Sequence, residues 1–361
     1  MSHDTNSPRV TLLLPNRDNA PVLDLVLERL AVNSQYENLE LVVVDDGSTD
    51  GSRDILRRWR DAGRFPDFQL IEREHSGVVE TLNIGLAAAT GELIVQLDGD
   101  ASVETPGWVQ KMVDFFLTDH RVGVVTAKIV FDWGELHTCG VDVVGPTGFH
   151  DRGVAITEPV GRRTYHQRIA RRRECNSPVC GPVAEVDGGI GCCMMFRRDV
   201  ALELGGYDPR WAPVWFDDLD LTMCIRRQGL KVFYLPDVRV IHHVGRRISD
   251  EPAWKQARVA ARRQVGATLP PRVRRGISQR LNMDLPPPST WARLQHHYAY
   301  WHEKWGFDML NPDMEAVQRL WGPTEVCWAT NPEMREAGER IAEAFASSPE
   351  VGTSRRYGER T

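Results

Sequence analysis

The 361-residue sequence has no apolar run approaching the roughly 18–20 residues that a membrane-spanning helix needs. Its longest candidates, such as Leu39 to Val44, are of strand length. The basic-then-apolar plan of a secretory signal is also missing from the polar start Met1-Ser2-His3-Asp4-Thr5-Asn6, so the expected location is the cytoplasm. The seven cysteines (139, 175, 180, 192, 193, 224, 327) are odd in number and contain no CxxC pair. Neither a disulfide framework nor a zinc ribbon is therefore indicated, and buried free thiols are the plain reading. Lysine is scarce, with 5 Lys against 39 Arg. A GC-rich genome produces such a bias, and arginine also suits forked phosphate contacts. There is no excess of positive charge either: 44 Lys plus Arg face 50 Asp plus Glu, for a net charge of −6, which sets nucleic acid aside as a main partner.

The remaining composition, 42% hydrophobic and 26% charged, is that of an ordinary soluble globular protein. At roughly 100–200 residues per domain the length fits two domains, or one large α/β domain with an appendage. Val10 to Leu14 is a short apolar run stopped by Pro15, and Pro21 to Val32 then places Leu23, Val26, Leu27 and Leu30 at helical spacing. Leu39 to Val44 reads as the next buried strand, and Asp50 to Trp59 as a helix capped by Ser48 or Asp50. Phe68 to Ile71, Gly77 to Ala89 and Leu93 to Leu97 repeat the alternation. This pattern predicts an α/β fold with a mainly parallel sheet and helices on both faces. Ligands of such sheets bind in loops at the carboxyl ends of the strands.

Two of those loops are acidic: Asp45-Asp46-Gly47-Ser48 follows the second strand, and Asp98-Gly99-Asp100 follows Leu97. Taken singly, a carboxylate pair at a strand end reads as a turn or a helix cap. Two pairs at equivalent ends of one sheet point to a ligand. Carboxylates one residue apart around a glycine suit a hard divalent cation that also holds phosphates.

From about Arg121 the pattern changes. Val122 to Val130 reads as strand, Phe131 to Val144 as a hairpin turning near Asp132 to Glu135, and Phe149 to Arg173 as an irregular, Arg-rich loop suited to covering a site. Gly188 to Phe196 runs into Arg197-Arg198-Asp199. Within it, Cys192-Cys193-Met194-Met195 reads as a core strand rather than a redox site, and the missing GxGxxG spacing sets a dehydrogenase aside. Gly205-Gly206-Tyr207-Asp208 leads to Trp215-Phe216-Asp217-Asp218-Leu219-Asp220-Leu221 and a helix ending near Gly229. A strand pair around Lys231 to Ile241 closes the unit at His242-His243.

In this order the segments resemble the family 2 glycosyltransferases of the GT-A fold, over about Val10 to His243. The resemblance rests on the Pro-terminated first strand, Val-Asp-Asp-Gly-Ser at 44–48, Gly77 through Asn83 and Gly85, and Leu-Asp-Gly-Asp at 97–100. It continues with Gly-x-Cys at 191–193 followed by Arg197-Arg198, Gly-Gly-Tyr-Asp at 205–208, Asp-Asp-Leu-Asp-Leu at 217–221 and His-His after Pro236. It implies a Rossmann-like, mixed but mainly parallel sheet flanked by helices, and a UDP- or dTDP-sugar as donor. Asp46, with Asp45, would contact base and ribose in a pocket lined by Pro15, Arg17 and Asp18, with Gly77, Asn83 and Gly99 also on the donor. Asp98 would reach the ribose or a metal-bound water, and Asp100 would bind Mn²⁺ or Mg²⁺ with Asp98 and His242, His243 being the fallback. Asp218, with Asp217, resembles the general base, and Gly191 and Trp215 would border the acceptor. One departure stands out: family members often carry Ala-Arg-Asn where this chain has Thr81-Leu82-Asn83. Arg17 or a cation of the Arg-rich loop would then replace the missing basic contact.

The chemistry calls for these groups. A nucleoside diphosphate leaving a sugar needs a metal ion or fixed cations, and an imidazole among the ligands favours Mn²⁺ somewhat. The attacking hydroxyl must lose a proton, which a positioned carboxylate accelerates by about 10²–10⁴-fold. Asp217 and Asp218 fall at a predicted helix N-terminus, where the dipole favours the anion, and Asp220 is near enough to raise a neighbour's pKa. The plain alternatives are that 217–220 only cap a helix and that His242-His243 is one buried histidine plus one exposed. The implied reaction is one-step displacement with inversion on a glycan, lipid-linked or small-molecule acceptor, in the biosynthesis of a bacterial glycan or natural product. One rival is a sugar nucleotidyltransferase, whose Gly-rich basic first loop is not matched by Pro15-Asn16-Arg17-Asp18-Asn19. The other is a non-catalytic glycan-binding or scaffold relative, against which the intact acids at 46, 98, 100 and 218 count.

Residues 9–245 therefore read as the catalytic domain, 1–8 as a flexible N-terminus, 246–346 as a mainly helical region for acceptor binding or oligomerisation, and 347–361 as a disordered tail. Between Arg239 and Arg280, 11 Lys plus Arg face 2 Asp plus Glu. There Pro252 to Ala267 reads as a basic helix, either a solvated face or a contact for diphosphate, an anionic acceptor or a peripheral membrane surface. After Pro286-Pro287-Pro288, Trp291 to Trp305 reads as a helix carrying Trp291, Tyr298, Tyr300, Trp301 and Trp305. At this spacing the aromatics pack on the main domain or on the second subunit of a homodimer. Arg335 to Phe345 reads as the last helix.

Overall fold

The structure, a computed structural model, describes residues 7–143, 149–151, 155–158, 168–170, 174, 180–243 and 288–307. Its first half alternates as β1 (Val10–Asn16), α1 (Ala20–Asn33), β2 (Leu39–Asp46), α2 (Ser52–Asp61), β3 (Phe68–Arg73), α3 (Val78–Ala88) and β4 (Leu93–Leu97). Then come β5 (Ala101–Val103), α4 (Trp108–Phe116), β6 (Val122–Phe131) and the short strands β7 (Leu136–Thr138), β8 (Val141–Val143), β9 (Phe149–Asp151), β10 (Ala155–Glu158), β11 (Arg168–Ala170) and β12 (Ala184–Val186). The series closes with β13 (Cys193–Arg197), α5 (Arg198–Glu203), α6 (Asp217–Arg226), β14 (Lys231–His242) and α7 (Pro288–Trp305).

The main sheet has the order β12-β14-β6-β13-β4-β1-β2-β3, with β5 on β14 and β7 on β6. β1 to β4, β6 and β14 run one way, and β13 is inserted antiparallel between β4 and β6. The near-continuous Val and Leu of β1 and β2 follow from burial on both faces. Side chains alternate across the sheet, so Leu13, Val42 and Val44 pack with Val79, Leu82 and Leu86 of α3. Leu12, Leu14 and Val43 pack on the other face with Val26, Leu27 and Trp108. Because the strands are parallel, Asn16, Asp46, Leu97, Phe131 and His242 gather at one edge, where β13 also begins, with Cys193 opposite Leu97.

Three local readings are corrected. α2 starts at Ser52, later than the sequence signals indicate, because Asp50 Oδ1 accepts from the Ser52 N–H (2.9 Å) while its Oδ2 accepts from Ala20 N (2.9 Å). Lys231 to His242 is a single strand rather than a pair: the register shifts between Leu235 and Arg239, around Pro236, and the pairing with β6 then resumes. The segment expected to be irregular contributes β9, which pairs with β8, and the strand pair β10 with β11. Residues 1–6, the basic helix at 252–267, the helix at 335–345 and the tail at 347–361 lie outside the described residues. No described helix is long and apolar enough to cross a membrane.

Candidate active site

The first cluster, the expected donor corner, is built where β1 and β2 end. Asp46 lies 2.7 Å from His75 Nδ1 and accepts from the backbone N–H groups of Ser76 (2.8 Å) and Gly77 (3.0 Å). Burial raises its pKa, but these bonds outweigh it and hold the carboxyl below its ordinary value. His75 Nε2 in turn meets Arg17 Nη1, so Arg17 joins Asp46 through the imidazole. Asp45 is bound into the same loops. Wholly buried, it accepts from Asn16 Nδ2 (2.8 Å), Ser48 N (3.0 Å) and Arg53 Nε (2.7 Å), fastening the two loops together. Asp18, held at a positive φ of 49°, accepts from Thr49 N (2.7 Å) and Asp50 N (3.4 Å). Gly99 is pressed onto the same loop: a Cβ there would lie 2.7 Å from Asn19 Nδ2 and 2.8 Å from Pro15 O.

The second cluster forms where β4 and β14 end. Pairing of His242 with Ala101 of β5 sets its Nε2 3.2 Å from Asp100 Oδ1 and 3.7 Å from Asp98 Oδ2. Ligand atoms of Asp98, Cys192 and His242 all lie within 4.8 Å of one another. Two carboxylates and an imidazole fit Mn²⁺ or Mg²⁺. The Cys192 thiol fits less well: burial, and then the charges of Asp98 and Asp100, push its pKa well above the ordinary value, and hard cations do not favour sulfur. His243 is turned away from the cluster, with Nε2 2.9 Å from Ser102 Oγ. His137 of β7 stacks on His242 at 5.2 Å, and their Nδ1 atoms are 3.3 Å apart.

The third element is the start of α6. Trp215 and Phe216 precede it at φ of 87° and 67°, a left-handed conformation that strains bulky residues. The turn delivers Asp217 and Asp218. Asp218 Oδ2 accepts from Gly191 N (2.7 Å) and Oδ1 from Leu219 N (2.7 Å). Burial lifts the Asp217 carboxyl well above its ordinary pKa, the Asp218 charge adds to this, and Asp98 contributes as well. Asp98 and the acid pair thus share one electrostatic neighbourhood. Burial raises Asp218 too, opposed by the Gly191 and Leu219 N–H groups.

Residues 11–205 match the family model described as Glycosyl transferase family 2. The chain belongs to that family. It is 27% identical over 245 residues to the O-antigen biosynthesis protein RfbC of Myxococcus xanthus, covering 66% of this chain and 17% of that protein. It is 26% identical over 248 residues to the uncharacterized protein y4gI of Sinorhizobium fredii, covering 66% and 24%. It therefore spans a quarter or less of the length of these two relatives. With the Glucosyl-dolichyl phosphate glucuronosyltransferase of Haloferax volcanii it shares 27% identity over 216 residues, covering 57% and 60%. Among solved structures, the mannosyltransferase PcManGT from Pyrobaculum calidifontis in complex with GDP-Man and Mn²⁺ matches at a TM-score of 0.50 and 21% identity, covering 96% of this chain and 78% of that one. GalNAc-T7 with UDP, GalNAc and Mn²⁺ matches at 0.50 and 15%, covering 76% and 54%. These likenesses establish the GT-A fold.

In this family 2 chain the fold brings Asp98, Asp100, His242, Gly191, Asp217 and Asp218 to one edge, with Pro15, Arg17, Asp18, Asp46 and Gly77 beside them. Asn83 is bonded to the backbone of Tyr207. Its Nδ2 donates to Tyr207 O (2.7 Å) and its Oδ1 accepts from Tyr207 N (2.8 Å), tying α3 to the loop before α6. Leu82 is buried in the core, which explains why no cation stands there. His75 and His137 escaped the sequence reading because each acquires its partner through strand register, a signal that local spacing does not carry.

Proposed function

We propose that this chain transfers a sugar from a nucleoside-diphosphate sugar, a UDP- or dTDP-sugar, to an acceptor hydroxyl with inversion. Asp98, Asp100 and His242 hold Mn²⁺ or Mg²⁺, and Asp218 is the general base. The observation that carries this reading is the two-residue bridge between the clusters: Asp98 N donates to Cys192 O (3.3 Å), and Gly191 N donates to Asp218 (2.7 Å). The cation, when bound, neutralises charge on the departing diphosphate.

The rest is the work of the chain's own groups. Asp46, fixed by His75, Ser76 and Gly77, holds the base and ribose, with Arg17 beside it. Burial raises both carboxyls of the acid pair, so the pair holds on to a proton, while two backbone N–H groups stabilise charge on Asp218. Asp218 takes the proton of an acceptor hydroxyl bound beside Gly191 and Trp215. The hydroxyl oxygen attacks the anomeric carbon, and the bond to the diphosphate breaks on the opposite face.

Incubation with a set of nucleoside-diphosphate sugars and Mn²⁺, following nucleoside diphosphate release, tests the reading. Release from at least one donor, abolished by a chelator and lowered about 10²–10⁴-fold in Asp218→Asn, is expected. Release from none of them, or undiminished release by the variant, contradicts it.

A further inference from the structure

Helix α7 lies beyond the residues matched to the family, yet it is bonded to Asp220, in the same helical turn as the acid pair. Lys304 Nζ donates to Asp220 Oδ2 (2.7 Å) and to Asp208 Oδ2 (2.8 Å). Trp305 Nε1 donates to Asp220 Oδ1 (2.9 Å), and Tyr300 Oη donates to Asp208. Asp220 is 2% exposed and sits in the same first helical turn as Asp217 and Asp218. Asp208 opens the loop that ends at α6, capping a 3₁₀ turn (Pro209–Trp211) through the Arg210 N–H. One ammonium therefore joins the two ends of the 208–220 segment.

The strained turn lies between those ends and is covered by the same helix. The Phe216 ring packs against Tyr298 at 5.7 Å and Trp301 at 6.4 Å. Trp211 packs against Tyr300 at 4.6 Å and His297 at 5.4 Å, and the Arg293 guanidinium lies 5.6 Å over Trp215. Left-handed backbone at bulky residues persists only where the surroundings over-determine it. Here α7 provides those surroundings.

We propose that α7 is a working part of the active site, with Lys304 a positioning residue. By clamping Asp208 to Asp220 it holds the Trp215–Phe216 turn and so sets where Asp218 meets the acceptor hydroxyl. The proposal rests on Asp218 being the base. A neutral side chain at 304 leaves two carboxylates facing each other without their shared cation, and the turn relaxes. The donor corner is built from the β1, β2 and β3 ends and meets the clamped segment at Pro213, whose O accepts from Val78 N (3.0 Å), so the loss falls chiefly on the turn that carries the acid pair.

The test is steady-state kinetics on the full chain with its donor and Mn²⁺. Lys304→Met should lower kcat about tenfold to a hundredfold, as misplacing a reacting group does, with donor KM within about threefold of the parent. Lys304→Arg should recover most of the loss, because a guanidinium can still bridge the two acids. Parental kcat in Lys304→Met, a matching loss of donor binding, or no recovery with arginine overturns the proposal. Should Lys304→Met not fold, Tyr300→Phe and Trp305→Phe decide, each deleting one donor, the first at nearly constant volume. A lowered kcat at constant donor KM supports the clamp, and parental kcat in both overturns it. Turnover that survives Asp218→Asn overturns the base assignment and the clamp together, whereas a normal Lys304→Met in an enzyme that needs Asp218 overturns the clamp alone.

Discussion

The carboxylate of Asp218 accepts the backbone N–H of Gly191 at 2.7 Å, across 27 residues of chain. The contact places the acid pair at the head of β13, where Cys192 also accepts from the Asp98 N–H. The Asp98 cluster and the acid pair are thus joined by one short stretch of backbone. Space there is tight: a Cβ at 191 would lie 2.2 Å from Gln96 Nε2 and 3.2 Å from Asp218 Cβ, so the Gln96 amide would have to shift.

Gly191→Ala should therefore cost about 1–3 kcal/mol of stability, the usual range for overpacking, and should lower turnover by more than this fraction unfolded explains. Chemical denaturation followed by turnover per folded molecule checks both.

Asp217 should behave oppositely in stability. Its pKa is raised above the ordinary 3.8, chiefly by burial, so the folded state binds the proton more tightly than the unfolded chain. Stability from that protonated acid is complete below 3.8 and is lost as pH rises towards the folded value. Asp217→Asn removes the loss. Calorimetry should show a higher melting temperature than the parent at neutral pH, with the gap closing as pH falls towards 3.8.

His137 should matter to the metal without touching it. Its Nδ1 lies 3.3 Å from that of His242, which orients the imidazole so that Nε2 faces Asp98 and Asp100. Outer partners of this kind are worth about 10–100-fold in metal affinity. His137→Ala should weaken Mn²⁺ binding by that factor in titration calorimetry, with the fold unchanged by circular dichroism.

How far the sequence revealed this site depends on how each residue gets there. Asp46, Asp98 and Asp100 were legible because they follow apolar runs that could only be strands, and parallel strands deliver their ends to one edge. Asp218 was legible from its order among the other motifs. His75 and His137 were not: His137 meets His242 only because β7 and β14 flank β6, which puts residues 105 apart side by side. For Asp45 the sequence showed a strand-end carboxylate but not its bonds to Asn16, Ser48 and Arg53, since residue type alone does not tell which way such a carboxylate turns. The aromatic spacing of α7 announced packing, and the structure puts its partner surface at Trp211 and Phe216. Lys304 gave no signal, because its two acids lie more than 80 residues away.

The central claim is that Asp100 and a divalent cation hold the diphosphate while Asp218 serves only the acceptor. Titration calorimetry of nucleoside diphosphates, with Mn²⁺ or with a chelator, measures this directly in the parent, Asp100→Ala and Asp218→Asn. The account predicts Mn²⁺-dependent binding of at least one nucleotide, lost in Asp100→Ala and kept within about twofold in Asp218→Asn. Binding that is as tight in the chelator, or as tight in Asp100→Ala, contradicts it.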